Sequence, residues 1–230
     1  MSAHTPVELA IVDYGMGNRR SVEKALEHAG AAPVITADPA RIASAPGLVL
    51  PGVGAFPKAM ERLRELGLVE PLRAAVAQGK PVLGICLGMQ LAFERSAELG
   101  GAEGLGIVPG EVLALETGGL KLPHIGWNEV SFARPDSPLL AGLPSRCAFY
   151  HVHSLAPRPA EPADVLGTAV YGTSFVTAVQ RGSFYGVQFH PEKSSAAGLR
   201  MLAAFAAICA GAGRAPGARS EPHTQPAAAG

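Results

Sequence analysis

The chain has 230 residues, of which 48% are hydrophobic and 17% are charged. This balance excludes an intrinsically disordered chain, which would be poorer in apolar residues and richer in charge. Lys plus Arg and Asp plus Glu each number 19, so the formal net charge is zero and predicts no general attraction to nucleic acid or to an anionic membrane. We expect one large domain rather than two small ones, because domains average roughly 150 residues.

Neither end of the sequence predicts export or membrane insertion. The apolar stretch 201–213 is shorter than the roughly 18 residues that a membrane-spanning helix needs. Residues 1–6 carry no basic segment before a long apolar core, so we expect no secretory signal and a cytoplasmic location. The three cysteines, Cys86, Cys147 and Cys209, form no Cys-x-x-Cys pair, and no metal site is predicted from them.

The first half of the chain predicts strands that alternate with helices. The strands are predicted at 7–12, 34–35, 47–51 and 81–85, and the helices at 18–29, 56–78 and 87–98. Gly30 and Gly79 stand where glycines that end helices are expected. Because these strands are continuously apolar, we expect a parallel sheet that is buried on both faces.

The pattern after Gly100 changes to strands and turns. Strands are predicted at 105–108, 111–115, 127–132, 148–152, 165–171, 175–180 and 183–188, and a last helix at 194–210. The Ala-, Gly- and Pro-rich residues 211–230 predict a disordered tail. We therefore expect a single α/β domain over residues 7–210, with a central, mostly parallel sheet covered by helices and a β-rich later half.

The segment Gly84-Ile-Cys-Leu-Gly88 places Cys86 between a predicted strand and a predicted helix. A glycine two residues to either side is typical of a nucleophile elbow, here with sulfur in place of oxygen. The positive end of the helix would favour the Cys86 thiolate, and the Leu87 NH is a candidate oxyanion donor. A free cysteine is more often a small buried hydrophobe, an interpretation that we keep for Cys147 and Cys209.

A cysteine nucleophile needs a base, and the base needs an orienting acid. An apolar strand leads to His190, and Glu192 follows two residues later, although such a pair can also simply close a strand. The segment Pro51-Gly-Val-Gly54 ends another strand, so the NH groups of Val53 and Gly54 are candidate second oxyanion donors. No phosphate-loop spacing occurs, and nucleotide binding is not predicted.

Three segments together resemble the class I, or triad-type, glutamine amidotransferases, which have a flavodoxin-like fold: Pro51-Gly-Val-Gly54, Gly84-Ile-Cys-Leu-Gly-Met-Gln90 and Gln188-Phe-His-Pro-Glu192. Three more resemble one branch of that family, the glutaminase subunit of imidazole glycerol phosphate synthase: Asp13-Tyr-Gly-Met-Gly-Asn18, Pro123-His-Ile-Gly-Trp-Asn128 and Tyr150-His-Val-His-Ser154. The resemblance covers about residues 7–210.

The resemblance implies that Cys86 attacks the side-chain amide of glutamine, while His190 relays the proton and Glu192 orients the imidazole. The product would be a γ-glutamyl thioester and ammonia, with no cofactor or metal. Gln90 and Glu98, spaced i, i+8 on the predicted helix, would share one helix face. The residues implied to line the glutamine pocket are Gly52, Gln90, Glu98, His153 and Ser154.

The resemblance also implies a heterodimer with a (β/α)8-barrel cyclase subunit. The cyclase would receive ammonia through an internal channel and form imidazole glycerol phosphate and an aminoimidazole carboxamide ribotide in histidine biosynthesis. Asn18, Trp127 and Tyr150 are expected at the interface, although core packing is an alternative for the two aromatic residues. The sequence departs from the family pattern at His151 and Leu155, where Phe and Tyr are usual.

Three alternatives remain open at this point. The first is a stand-alone cysteine hydrolase that cleaves γ-glutamyl or peptide amides on the same fold. The second is a non-catalytic binding subunit, which the intact triad disfavours. The third is another acceptor, since anthranilate, guanylate and cytidylate synthases use similar glutaminase domains. We also expect low basal activity, because Val53 can present either its NH or its C=O to the sulfur.

Overall fold

The computed structural model describes residues 5–212, which form six α-helices and thirteen strands. The helices are α1 (Arg19–His28), α2 (Pro39–Ser44), α3 (Phe56–Glu65), α4 (Val69–Ala77), α5 (Leu87–Gln90) and α6 (Ser195–Ala212). The strands are β1 (Glu8–Val12), β2 (Ala32–Thr36), β3 (Leu48–Gly52), β4 (Val82–Cys86), β5 (Phe93–Ser96), β6 (Ala102–Glu103), β7 (Val108–Ala114), β8 (His124–Phe132), β9 (Arg146–His153), β10 (Leu155–Pro159), β11 (Val165–Tyr171), β12 (Thr173–Arg181) and β13 (Phe184–Val187).

Nine of these strands form one mixed sheet in the order β2-β1-β3-β4-β13-β12-β11-β8-β9. The first five pair in parallel, and the pairs from β13 to β9 are antiparallel. Strands β10, β7, β5 and β6 form a second, smaller sheet. The predicted α/β fold with a β-rich later half is therefore confirmed, and four of the eight strand pairs in the large sheet are parallel, the last of them between β4 and the late strand β13.

The large sheet separates two hydrophobic layers. Along β1, Leu9 and Ile11 face one layer, while Ala10 and Val12 face the other, as the two-residue period of a strand requires. Helices α1 and α6 cover the first layer, and α3 and α4 cover the second. Burial on both faces explains why the early strands are continuously apolar.

The structure corrects the predicted helix at 87–98. Helix α5 ends at Gln90, because the NH groups of Leu105, Gly106 and Ile107 donate to the carbonyls of residues 91–93. Those carbonyls are therefore directed to a distant segment and not along the axis of a continuing helix. Residues 93–96 form β5 instead, and the strand predicted at 105–108 begins only at Val108.

Other boundaries also differ from the sequence-based prediction. The helix predicted at 56–78 is two helices, α3 and α4, since Gly67 adopts a φ of 65° between them. Helix α2 and strand β10 were not predicted. Residues 211 and 212 belong to α6, and the rest of the predicted tail lies outside the described residues. Within residues 5–212, no helix combines the length and the apolar character needed to cross a membrane.

Candidate active site

Cys86 lies at the junction of β4 and α5 in a strained backbone conformation, with φ of 54° and ψ of −111°. Non-glycine residues rarely adopt positive φ, and such strain is typical of functional sites. A Cβ on Gly88 would lie 1.7 Å from the Leu50 carbonyl oxygen, and one on Gly84 would lie 2.8 Å from the Gly88 carbonyl oxygen. Only glycine fits at these two positions, so the local sequence permits the sharp turn.

His190 and Glu192 follow β13, which pairs in parallel with β4. The carboxyl ends of both strands therefore meet at one edge of the sheet. His190 Nδ1 lies 2.8 Å from Glu192 Oε1, and both side chains are almost fully buried. His190 and Cys86 line the same cavity, and interaction with the Cys86 side chain is one of the causes that raise the pKa of His190. The fold thus brings the three residues of the predicted triad to one place.

The charge environment favours a protonated His190. Burial alone would lower the pKa of His190, but hydrogen bonds to the Cys86 and Glu192 side chains, and the charges on both, outweigh it and raise the pKa to about 10. An imidazolium that is stable well above neutral pH is held beside the sulfur of Cys86. The site therefore places a proton donor next to a nucleophile.

A cavity of about 310 Å³ opens over Cys86 and His190. It is lined by most of the predicted oxyanion and glutamine-binding residues: Val53, Gly54, Leu87, Gln90, Glu98, His153 and Ser154. Gly52 does not line it. Instead Gly52 packs beneath Tyr14, where an added Cβ would lie 2.4 Å from the tyrosine oxygen. The cavity has room for a small polar substrate beside the sulfur.

Gln90 is held by a buried residue that the sequence analysis did not single out. Gln90 Nε2 donates to Gln188 Oε1 at 2.9 Å, and Gln188 Nε2 lies 3.6 Å from Cys86 Sγ. Gln188 belongs to the segment Gln188-Phe-His-Pro-Glu192, in which only His190 and Glu192 were assigned roles. It connects the pocket wall to the nucleophile.

Glu98 reaches the cavity from a different element than expected. The shared helix face predicted for Gln90 and Glu98 is wrong, because α5 ends at Gln90 and Glu98 begins a 3₁₀ turn. Its Oε2 accepts the Phe56 NH at 2.6 Å, at the start of α3. A carboxylate there stabilises the helix N-terminus and is fixed by it.

Tyr14 supports the strand end that carries the predicted oxyanion donors. Its hydroxyl donates to the Pro51 carbonyl at 2.7 Å, and the side chain is fully buried. Burial, followed by the charge of nearby Cys86, raises the pKa of Tyr14 above its usual range. The phenol therefore stays protonated and keeps its donor role. Tyr14 lies within the segment Asp13-Tyr-Gly-Met-Gly-Asn18, but no role was predicted for it.

The predicted interface residues lie outside the cavity. Trp127 and Tyr150 pair across β8 and β9, with ring centroids 6.3 Å apart. Trp127 is 54% exposed, which excludes core packing for it. Ile125, on the same strand, is also exposed. Asn18 precedes α1 and makes no side-chain cap there.

The model of the class-I glutamine amidotransferase family matches residues 10–209. The chain belongs to this family. The amidotransferase is 50% identical over 207 residues to the imidazole glycerol phosphate synthase subunit HisH of Moorella thermoacetica, covering 90% of this chain and 98% of that one. It is 51% identical over 205 residues to the subunit of the same name from Synechococcus elongatus, covering 88% and 94%.

Solved structures show the same fold at lower identity. The amidotransferase superposes on PurLQS from Thermotoga maritima with a TM-score of 0.69 and 18% identity, covering 89% of this chain and 99% of that one. The glutaminase domain of Trypanosoma brucei CTPS gives a TM-score of 0.66 at 19% identity, covering 89% and 94%. These structures support the fold alone.

Proposed function

We propose that this amidotransferase is the glutaminase subunit of imidazole glycerol phosphate synthase and works in the cytoplasm. The observation that carries the proposal is the 50% identity over 98% of the Moorella HisH chain. The cavity beside a buried Cys-His-Glu arrangement agrees with it. The substrate is glutamine, and the products are glutamate and ammonia.

The proposed reaction has two stages. Cys86 Sγ attacks the side-chain carbonyl carbon of glutamine, and the amide nitrogen takes a proton from His190 and leaves as ammonia. Water then adds to the thioester while His190 takes its proton, and glutamate leaves as the sulfur recovers its electron pair. The NH groups of Leu87 and of Val53 or Gly54 stabilise the oxyanion in both stages, a role worth about 3 kcal/mol per donor.

The ammonia passes to a cyclase subunit, proposed to be a (β/α)8 barrel, that forms imidazole glycerol phosphate and an aminoimidazole carboxamide ribotide. We propose that the cyclase docks on a surface formed by Asn18, Trp127 and Tyr150. The exposed Trp127 supports this, because large aromatic side chains are typical anchors of protein interfaces.

The test is glutamate release from glutamine by the purified chain, alone and with a cyclase subunit and its ribotide ligand. We expect low release alone and a large increase in the complex, and loss of both in Cys86→Ala. Strong release by the free chain that the cyclase does not change would instead favour a stand-alone cysteine hydrolase. No release in either condition would contradict the glutaminase assignment itself.

A further inference from the structure

Two buried histidines, His124 and His151, stand beside the pocket and have no part in the proposed reaction. His124 belongs to the segment Pro123-His-Ile-Gly-Trp-Asn128, and its ring stacks on Tyr171 with centroids 4.1 Å apart. Its Nδ1 lies 2.9 Å from Nε2 of the pocket residue His153. This contact joins strand β8 to the cavity wall.

The partners of these rings determine where their protons are. The Leu155 carbonyl can only accept, so His153 Nδ1, 2.8 Å away, carries a proton and donates it. A neutral His153 then has a bare Nε2, which accepts from a protonated His124 Nδ1. The remaining nitrogen of His124, Nε2, lies 3.4 Å from Asn128 Nδ2, which donates to it. One continuous chain of donors runs from Asn128 to Leu155.

This series of hydrogen bonds requires the imidazoles of His124 and His153 to be neutral. Their buried surroundings favour the neutral form. Burial is the main cause that lowers the pKa of His153 to about 4, and burial also lowers the pKa of His124. Both nitrogens of His153 are therefore occupied by protein groups. The His153 ring therefore has no nitrogen left to bind glutamine. What it contributes to the pocket is a fixed turn from His153 to Leu155.

The turn held in this way forms one wall of the cavity. His153, Ser154 and Leu155 all line it, and the Leu155 carbonyl also faces Gln90 Nε2 at 3.5 Å. A change in the His153 ring would therefore alter the positions of backbone groups beside the substrate.

We propose that His124 is a positioning residue for the glutamine pocket, which donates to His153 Nε2 and so fixes the His153 tautomer and the turn to Leu155. The proposal rests on the proposed function, since it names glutamine as the ligand of this wall. It assigns His124 an effect on substrate affinity rather than on the chemical step.

The test compares two substitutions in the complex with the cyclase. His124→Phe keeps a ring for stacking on Tyr171 but removes the donor, while His124→Asn places an amide nitrogen at the position of Nδ1. We expect His124→Phe to raise the KM for glutamine about tenfold, equivalent to roughly 1.4 kcal/mol, with kcat within a factor of two. His124→Asn should restore KM to within threefold of the wild-type value.

His151→Phe is the matched control, because it also changes a buried histidine in the same stack but leaves the donor chain intact. We expect its KM to be unchanged. A KM in His124→Phe within twofold of wild type would overturn the proposal. So would a defect in His124→Asn as large as that in His124→Phe, since the hydrogen bond would then not be the cause.

A second measurement does not need activity and separates this proposal from the proposed function. Long-range ¹⁵N–¹H spectra of histidine-labelled free chain should show His153 as the Nδ1–H tautomer, with the Nε2 shift of a hydrogen-bonded acceptor. That signature should change in His124→Phe and persist in His124→Asn. A wild-type His153 in the Nε2–H form would overturn the proposal even if glutaminase activity is found, and the expected spectra would support the donor chain even if it is not.

Discussion

Glu192 shows most directly how a single residue sets the chemistry of the site. Its carboxylate is almost fully buried and holds His190 Nδ1, and it is one of the two groups that raise the pKa of His190. Glu192→Gln keeps the shape but removes the charge. We expect glutamate release in the complex to fall roughly 10²- to 10⁴-fold, the usual contribution of general acid–base catalysis.

The same substitution should lower the pKa of His190 from its value of about 10, because one of the causes that raise it is lost. NMR titration of the His190 ring in the free chain measures this. Glu70→Gln, a change of an exposed glutamate on α4, is the control and should alter neither quantity. An unchanged His190 titration in Glu192→Gln would show that Cys86 alone sets that pKa.

His151 predicts how stability depends on pH. Burial is the main cause that lowers the pKa of His151 to about 3, well below the usual 6.5. Between these values the unfolded chain binds more protons than the folded chain, so the free energy of unfolding falls as the pH is lowered from about 6.5, by up to about 1.4 kcal/mol per pH unit. Burial also lowers the pKa of His153, to about 4, so His153 contributes a similar decrease in the free energy of unfolding between about pH 6.5 and 4.

In His151→Phe, the unfolded chain no longer takes up the extra proton that residue 151 binds in the wild type. We expect the free energy of unfolding of the variant, from urea titrations between about pH 6.5 and 4.5, to fall less steeply than that of the wild type, by up to about 1.4 kcal/mol per pH unit at the acid end. The comparison uses slopes, so a constant offset from the lost His151–Thr177 contact does not affect it. Parallel slopes would mean that His151 is protonated as readily in the folded chain as in the unfolded one.

The elbow between β4 and α5 depends on close contact between backbones. A Cβ on Gly88 would meet the Leu50 carbonyl oxygen at 1.7 Å, and backbone cannot move aside as a flexible side chain can. We expect Gly88→Ala to lower the free energy of unfolding by about 3 kcal/mol and to abolish glutamate release. Chemical denaturation and the coupled assay measure the two effects.

Gly211→Ala is the matched control for this substitution. Gly211 lies in α6, and a Cβ added there would meet nothing within 4 Å. Alanine is the better helix former, so the control should be neutral or stabilising by up to about 1 kcal/mol. If Gly88→Ala were equally well tolerated, the close approach of α5 to β3 would not be what fixes the position of Cys86.

Comparison of the elements shows what the sequence can and cannot predict. Strands β1, β3, β4 and β13 were predicted because both of their faces are buried and each reads as an apolar run. The helix predicted at 87–98 failed because residues 105–107 take the carbonyls that would continue it. That contact depends on a turn more than ten residues away, which local periodicity cannot show.

Some residues of the candidate site could be predicted from the sequence, and others could not. Cys86 was predicted from the glycines two residues to either side of it. His190 and Glu192 were predicted from their position at the end of an apolar strand. Tyr14 and Gln188 were missed because a buried tyrosine after a strand, or a glutamine before an apolar residue, has no distinctive local pattern. Their roles come from contacts with Pro51 and Cys86 that only the folded chain brings together.

At the scale of the whole molecule, the two halves of the sheet have different tasks. The parallel half brings Cys86 and His190 to one edge, and the antiparallel half exposes Trp127 on β8. Tyr150 joins the two: its ring packs against Trp127, its carbonyl accepts the His190 NH at 2.9 Å and its NH donates to Ser194 Oγ. A partner that contacts Trp127 and Tyr150 therefore touches a residue whose backbone is hydrogen-bonded directly to His190, the proposed base.

Trp127→Ala tests whether this surface is the docking site. If the exposed indole is an interface anchor, its loss should weaken the complex with the cyclase by about 2 kcal/mol or more, or roughly 30-fold in Kd. Leu199→Ala, at a partly exposed apolar residue on α6, is the control and should leave Kd unchanged. Isothermal titration gives Kd for each variant, and at saturating cyclase Trp127→Ala should recover glutamate release. Weak binding without that recovery would mean that the indole also transmits the effect of the partner to His190.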